Sequence, residues 1–346
     1  MSYSETFPTG TVKYLLPGSF NDIENLVDKD NCVLITDNNV SAAHASIFHG
    51  YKTIILSTGE KQKTWHTIEN ITEQLINTHT HRKTFLIGIG GGVVTDITGF
   101  IGSIYMRGIP FGFVPTTLLG MVDAAIGGKN GVNAGLHKNL LGTIRQPEFI
   151  LFDTAFLKTL PEDEWANGFA EIIKYACLFD RELFEELLKH DIDYYKHHAG
   201  ALESLIAICV KWKNKIVLED EKENNLRKLL NFGHTAGHSF ETLYQLPHGH
   251  AVALGMIVAC YISKHIKGFQ KAETNKLIHL LQQYQLPVSL YFDAQKVMEI
   301  LKMDKKRNYD AIDYVVLNNI GKSEVATISF DIIEQALTQF AHAGNH

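Results

Sequence analysis

The 346-residue sequence has little cysteine, no concentrated charge of either sign and no long hydrophobic run. Its four cysteines, Cys32, Cys177, Cys209 and Cys260, stand far apart with no Cys-x-x-Cys spacing. That excludes a thiolate metal site and the dense disulfide framework of small secreted domains, so reduced thiols are expected. Lysine and arginine number 32 against 38 acidic residues, a net charge of −6, and no basic block or stripe interrupts the balance. Nucleic acid is therefore not an expected partner. No apolar stretch suggests the ~20 residues that span a bilayer, and the opening Met1-Ser2-Tyr3-Ser4-Glu5 has neither a basic start nor an apolar core. A cytoplasmic protein without a membrane partner is the expectation. Hydrophobic residues at 45% and charged residues at 20% are ordinary for a globular chain, and the length suits two domains.

The first half alternates short apolar runs with turn residues. Cys32–Thr36 leads into Asp37-Asn38-Asn39, and Lys52–Leu56 leads into Ser57-Thr58-Gly59-Glu60, with an amphipathic helix expected over Thr64–Thr78. This is the rhythm of an open α/β sheet, in which ligands bind beyond the carboxyl ends of the strands. Asp37, Asn39, Glu60 and Lys63 are placed to touch a cofactor, although turn and cap roles suit the same residues. Next, the strand Thr84–Gly90 runs into Gly90-Gly91-Gly92 and a helix. Glycines there let backbone N–H groups wrap a pyrophosphate at a helix N-terminus. The fingerprint is imperfect, because Gly88-x-Gly90-x-x-Val93 lacks its third glycine, and a plain tight turn would read the same way. From Gly90 to Gly142 the chain stays dense in glycine, with Arg107, Asp123, Lys129, Lys138 and Asn139 interleaved. Such loops cost backbone entropy, which points to ligand binding, and their cations suit phosphate or carboxylate.

Beyond Pro161 the pattern changes to long helical periods. Glu162–Leu178 opens with acidic residues, as a helix N-terminus favours, and brings Glu171 and Lys174 near one face inside a largely apolar run. That pair reads equally as an exposed ion pair or a buried functional carboxylate. The densest chemistry lies in Arg227–His250, which holds four of the 17 histidines. His234 and His238 are four apart, with Glu241 one turn on, so one helix face could carry a metal of the kind that takes imidazole and carboxylate. A solvated histidine-rich face is the plainer alternative. His248 and His250, with Arg227 and Asn231 upstream, favour the site.

Taken together, Gly90-Gly-Gly-Val-Val-Thr-Asp96, Tyr105-Met-Arg107-Gly, Pro115-Thr116-Thr117-Leu-Leu119, the Asp123–Asn133 loop, Ala170-Glu171-Ile-Ile-Lys174-Tyr, Arg227–His238 and His248-Gly249 resemble 3-dehydroquinate synthase over nearly the whole chain. The resemblance implies an NAD- and metal-dependent sugar-phosphate cyclase. Its implied fold is an α/β Rossmann-like parallel-sheet, NAD-binding domain over residues 1–160 and an all-α metal- and substrate-binding domain over residues 161–346. Its implied metal ligands, for zinc or cobalt, are Glu171, His234 and His248, which moves His238 from ligand to substrate contact. NAD contacts carry over to Asp37, Asn39, Glu60, Lys63, Gly91, Gly92, Val93, Asp96, Thr116, Thr117, Leu119, Asp123, Lys138, Phe156 and Thr159. Substrate contacts carry over to Arg107, Lys129, Asn139, Lys174, Lys213, Arg227, Asn231 and His238, with Lys305 and Lys306 as further anion contacts. One departure is His250, at a position that is usually acidic in the family, where it could alter the bonding behind the metal ligands.

The implied reaction converts 3-deoxy-D-arabino-heptulosonate 7-phosphate to 3-dehydroquinate and phosphate in the shikimate pathway of aromatic amino-acid biosynthesis, with NAD recycled. A homodimer is implied as well. Another sugar-phosphate cyclase, a metal-dependent alcohol or polyol dehydrogenase, and a non-catalytic NAD sensor are the alternatives. The density of Lys, Arg and Asn argues against a simple alcohol, and Arg227, Asn231 and the Lys305/Lys306 pair supply partners for a carboxylate.

Overall fold

The inner strands of the first sheet, Cys32–Asp37, Phe85–Gly90, Phe111–Pro115 and Phe149–Leu151, are buried on both faces, so each reads as a continuous apolar run, whereas the flanking strands Gly10–Leu15 and Lys52–Leu56 alternate buried and exposed positions. The structure, a computed structural model, describes residues 2–135, 137–304 and 310–343. In chain order the first elements are β1 (Ser2–Phe7), β2 (Gly10–Leu15), β3 (Cys32–Asp37), α1 (Asn38–Ala43), β4 (Lys52–Leu56), α2 (Trp65–Asn77), β5 (Phe85–Gly90), α3 (Gly92–Ile104), β6 (Phe111–Pro115), β7 (Lys129–Ala134), β8 (His137–Ile144) and β9 (Phe149–Leu151). Then follow α4 (Glu162–Phe179), α5 (Arg181–Leu187), α6 (Ile192–His197), α7 (Ala199–Glu219), α8 (His234–Tyr244), α9 (His248–Lys267), α10 (Lys271–Gln283), α11 (Ala294–Asp304), β10 (Ala311–Asn319), β11 (Lys322–Ser329) and α12 (Phe330–Ala343).

Seven strands form one sheet in the order β1-β2-β9-β6-β5-β3-β4. All neighbours run parallel except the β1–β2 hairpin at the edge. Leu34, Ile87, Ile89, Val114, Phe149 and Leu151 make the core against one face. The carboxyl ends of β3, β5 and β6 deliver Asp37, Gly90 and Thr116, as an open α/β sheet delivers its ligand-facing residues. Strands β7 and β8 pair separately as an antiparallel hairpin.

The chain divides into two compact units, one of residues 1–161 with 199–222, the other of residues 162–198 with 223–346. A single cut after residue 160 therefore misplaces α7, which groups with the first unit. The reason lies in its polar contacts. Tyr14 donates to Asn214 at 2.8 Å, Lys213 donates to Asp123, and just past the end of α7 Glu221 accepts from Thr9 at 2.6 Å and Gln146 at 2.9 Å. A helical period reports which face is apolar, not which core receives it.

Among the described residues the second unit's regular structure is helical apart from the antiparallel β10–β11 hairpin, which the all-α expectation omits. Helix α9 is long and apolar enough to cross a membrane by length and composition, contrary to the expectation drawn from the sequence. Ala251–Cys260 are nevertheless buried throughout, and α9 serves as the core helix of its unit. All four cysteines are free and buried, as expected.

Candidate active site

In the first unit, β5 ends at Gly90 and α3 begins at Gly92, with Gly91 at its N-cap in an extended conformation and no side chain capping the helix. The first N–H groups of α3 are thus available to an anion, and the helix dipole favours one. A Cβ on Gly91 would lie 3.0 Å from the Thr117 methyl group, so the glycine permits this close turn. Val93 and Asp96 follow on the first turns of α3. Asp96 forms an ion pair with the buried Lys63; burial raises its carboxyl pKa, and Lys63 pulls the other way. Thr116 donates its backbone N–H to Gly90 at 3.0 Å, and the Thr117 hydroxyl accepts from Gly120 at 3.0 Å. After Leu119 the chain makes a π-helical turn, Gly120–Ala124, that carries Asp123.

Asp37 has a cap role whatever else it touches. The Asp37 carboxylate caps α1, accepting from Asn39 at 2.9 Å and Val40 at 3.0 Å, while Asn39 is exposed. Phe156 and Thr159 are brought together by His44, which the sequence did not single out. Its ring meets Phe156 edge-on at 4.8 Å and shares a 2.8 Å hydrogen bond with the Thr159 hydroxyl. Burial lowers the His44 pKa, against the pull of Asp153. Lys129, Lys138 and Asn139 are exposed on the β7–β8 hairpin, and the φ of Asn139, 53°, is left-handed. Arg107 is also left-handed, at φ 69°, between Met106 at 51° and Gly108 at 111°. Such a run is costly for non-glycine residues and marks a constrained turn.

In the second unit three helices converge. Glu171 on α4, His234 at the start of α8 and His248 at the start of α9 each offer one ligand atom, and these atoms lie within 4.8 Å of one another. Helix α4 is buried from Trp165 to Leu178, so both Glu171 and Lys174 are inside, and they form an ion pair one turn apart. Asn167, one turn before Glu171 on the same helix, accepts from Gly249 N–H at 3.0 Å and so ties the start of α9 to α4. Gly233 caps α8 at φ 79°, in the left-handed region, and a Cβ there would meet the Val252 carbonyl of α9 at 2.7 Å. Glycine is required on both counts.

The hydrogen bonds fix how each imidazole points. His234 Nδ1 lies 3.1 Å from the Phe232 carbonyl, which can only accept, so that nitrogen carries the proton and Nε2 faces Glu171 Oε1 at 3.5 Å. His248 Nε2 faces the same oxygen at 3.2 Å, and its Nδ1 is 3.8 Å from Glu241. Ligand histidines ordinarily carry this kind of carbonyl or carboxylate support behind them. The donor set, two imidazoles and a carboxylate, suits zinc or cobalt with positions left for substrate. Burial, with Lys174 nearby, lowers the His234 pKa to about 3, which keeps it in the neutral, ligating form. Burial also disfavours protonated His248, but hydrogen bonds to Glu171 and Glu241 outweigh it and lift the pKa to about 9.

His238 is not in the trio. Its ring stands edge-on to His234 at 5.4 Å, so the four-residue spacing reports a shared helix face and not the trio of converging ligand atoms. Glu241, which the spacing suggested as part of that face, instead stands behind His248. Arg227 is buried, and Asn231 donates to Glu223 at 2.6 Å. His250 is half-buried near Asp163 and Glu164; burial lowers its pKa and the two carboxylates oppose the shift. Lys305 and Lys306 lie outside the described residues.

Comparison with known proteins gives the family. Residues 53–167 match the family model "3-dehydroquinate synthase N-terminal" and residues 168–307 match "3-dehydroquinate synthase C-terminal". A curated 3-dehydroquinate synthase from Pyrococcus furiosus is 42% identical over 294 residues, covering 84% of this chain and 85% of the relative. Among solved structures, a 2-epi-5-epi-valiolone synthase from Streptomyces hygroscopicus with NAD+ and Zn2+ bound superposes with a TM-score of 0.88 at 26% identity, covering 98% of this chain and 99% of the other. A 2-deoxy-scyllo-inosose synthase complexed with carbaglucose-6-phosphate, NAD+ and Co2+ has the same fold, with a TM-score of 0.87 at 23% identity and coverage of 98% and 100%. With the N-terminal and C-terminal family models matched in order over residues 53–307 and 85% of the relative covered, the chain belongs to the 3-dehydroquinate synthase family.

Proposed function

We propose that the protein converts 3-deoxy-D-arabino-heptulosonate 7-phosphate to 3-dehydroquinate and phosphate by oxidation, phosphate elimination, reduction and intramolecular aldol closure. The observation that carries this reading is the buried Glu171–His234–His248 trio, supported from behind by Phe232 and Glu241, in a chain 42% identical to a curated 3-dehydroquinate synthase. When bound, a divalent metal on the trio would polarise substrate hydroxyls, and NAD at the α3 N-terminus would take up a hydride and return it.

The chain's own residues bind, orient and move protons. Gly91, Gly92 and Val93 offer N–H groups to the cofactor's pyrophosphate, with Asp37, Asn39, Glu60, Lys63, Asp96, Thr116, Thr117, Leu119, Asp123, Lys138, Phe156 and Thr159 as its further contacts. Arg107, Lys129, Asn139, Lys174, Lys213, Arg227 and Asn231 supply the cations and amides that a substrate bearing both phosphate and carboxylate needs, joined by Lys305 and Lys306. His238 is assigned to hydroxyl positioning or proton relay. The protein is read as a soluble cytoplasmic homodimer with no nucleic-acid or membrane partner.

The test is phosphate release from purified, metal-loaded protein with the heptulosonate phosphate and catalytic NAD, followed beside absorbance for net NADH. Phosphate release without NADH accumulation, abolished by a chelator, is the expected result. Release only from a sugar phosphate lacking the carboxylate would move the assignment to a sister cyclase.

A further inference from the structure

We infer that Asn133, to which no role has been assigned above, is a positioning residue that locks the Glu60–Lys63 cofactor loop to the Asn139 substrate turn. The inference rests on the proposed roles of Glu60, Lys63 and Asn139. Asn133 lies near the end of β7, where the ladder with β8 is irregular between Val132 and Ala134. A bulge of this kind releases one residue from strand pairing and re-aims its backbone. Here the released N–H donates to the Lys63 carbonyl at 2.8 Å, and Asn133 forms an isolated parallel bridge with Thr64.

The side chain then bonds in two directions. Its Nδ2 donates to Glu60 Oε1 at 2.8 Å, and its Oδ1 accepts the Asn139 N–H at 2.9 Å. The orientation of the amide follows from its partners, because a carboxylate can only accept and a backbone N–H can only donate. The second bond holds Asn139 at φ 53°, a conformation that a non-glycine residue adopts at a cost. Lys63 in turn pairs with Asp96 on α3. One amide thus sets the position of both Glu60 and Asn139. Asp at this position would keep the acceptor for Asn139 but set a carboxylate against Glu60, and Ala would lose both bonds.

The experiment uses the full-length, metal-loaded enzyme and measures NAD Kd by equilibrium titration, KM and kcat by phosphate release, and Tm by calorimetry. Asn133→Ala should raise both NAD Kd and substrate KM by about tenfold, the scale of one net hydrogen bond, with little change in Tm. Asn133→Asp should raise NAD Kd more than KM. Glu60→Gln combined with Asn133→Asp should bind NAD more tightly than the two single changes predict, because the side-chain amide introduced in place of the Glu60 carboxylate could donate to the new carboxylate. A lower Tm with unchanged Kd and KM, or an additive cycle, would overturn the inference by making the role merely structural. If Asn133→Ala fails to fold, the Asp variant and the cycle decide the matter. A parent chain that binds NAD but releases no phosphate from the heptulosonate phosphate defeats the proposed function while the Kd series still tests Asn133; a parent chain that binds no NAD defeats both.

Discussion

Lys213 donates to Asp123 twice, to its backbone carbonyl at 2.6 Å and to its carboxylate at 2.8 Å, across 90 residues of sequence. The pair fastens α7 to the π-helical turn Gly120–Ala124. Turns of that type are rare and collect at functional sites, because the wider ring is held only when outside contacts favour it. Lys213 is therefore an internal anchor as well as a candidate substrate cation.

Replacing Lys213 by Met keeps the apolar stem and removes the charge. The Lys213 side chain is 7% exposed and that of Asp123 21%, so part of the loss is relieved by water and about 1–3 kcal/mol of stability should go. NAD affinity should fall in the same variant, since the turn bearing Asp123 is freed. Calorimetry and NAD titration read the two effects. Parental Tm together with parental NAD affinity would show that the ion pair has no anchoring role.

Glu171→Gln keeps the shape of a ligand and removes its charge from a site that also holds Lys174. Metal affinity should drop by more than about 100-fold, because supporting residues alone are commonly worth 10–100-fold. Glu241→Gln, which touches His248 and not the metal position, should fall within that supporting range and be rescued by excess zinc or cobalt. Metal content after dialysis and phosphate release against added metal separate the two. Equal behaviour of the variants would sink the division into ligand and support.

How much of this was legible depended on whether the information was local. The β5–Gly91–α3 junction was readable because a buried strand, a glycine run and a helix are consecutive. The metal trio was not readable from spacing, since Glu171, His234 and His248 sit on three helices. The pattern His234-x-x-x-His238 reports only what shares one helix face, and the family resemblance supplied the rest. The β10–β11 hairpin leaves a trace in the short apolar run Tyr314–Leu317, buried at every position, but a run of that length does not distinguish a strand from a buried stretch of helix. Nothing local could place α7 with the first unit or give Asn133 its two partners, because both depend on residues distant in sequence.

Gly255 offers a test of the α8–α9 contact that positions His234 and His248. A Cβ there would lie 1.9 Å from the Gly233 carbonyl oxygen, and backbone on both sides leaves no flexible side chain to move away. Gly255→Ala should cost about 3 kcal/mol or more, at the upper end for an overpacked core. It should also lower metal retention in whatever fraction folds, as the start of α8 is pushed away. A variant with parental Tm and metal content would mean that the two helices can separate freely.

The four cysteines give a probe of native-state opening. Cys32, on β3 between β5 and the edge strand β4, is 1% exposed, and burial pushes its thiol up to about 11, with Asp28 adding to the shift. Burial likewise holds Cys177 and Cys260 well above the ordinary thiol range, and Cys209 is fully enclosed. The thiolate is the nucleophile, so at pH 8 roughly a thousandth of Cys32 would be reactive even if reagent reached it. A disulfide reagent at pH 8 should therefore titrate essentially no thiol in the native protein and four after unfolding in guanidinium. Reaction should rise with pH toward 11, since raising the pH fills the thiolate form. Rapid modification of one thiol at pH 8 would show that its strand or helix opens well before global unfolding, and mass mapping would identify which element does so.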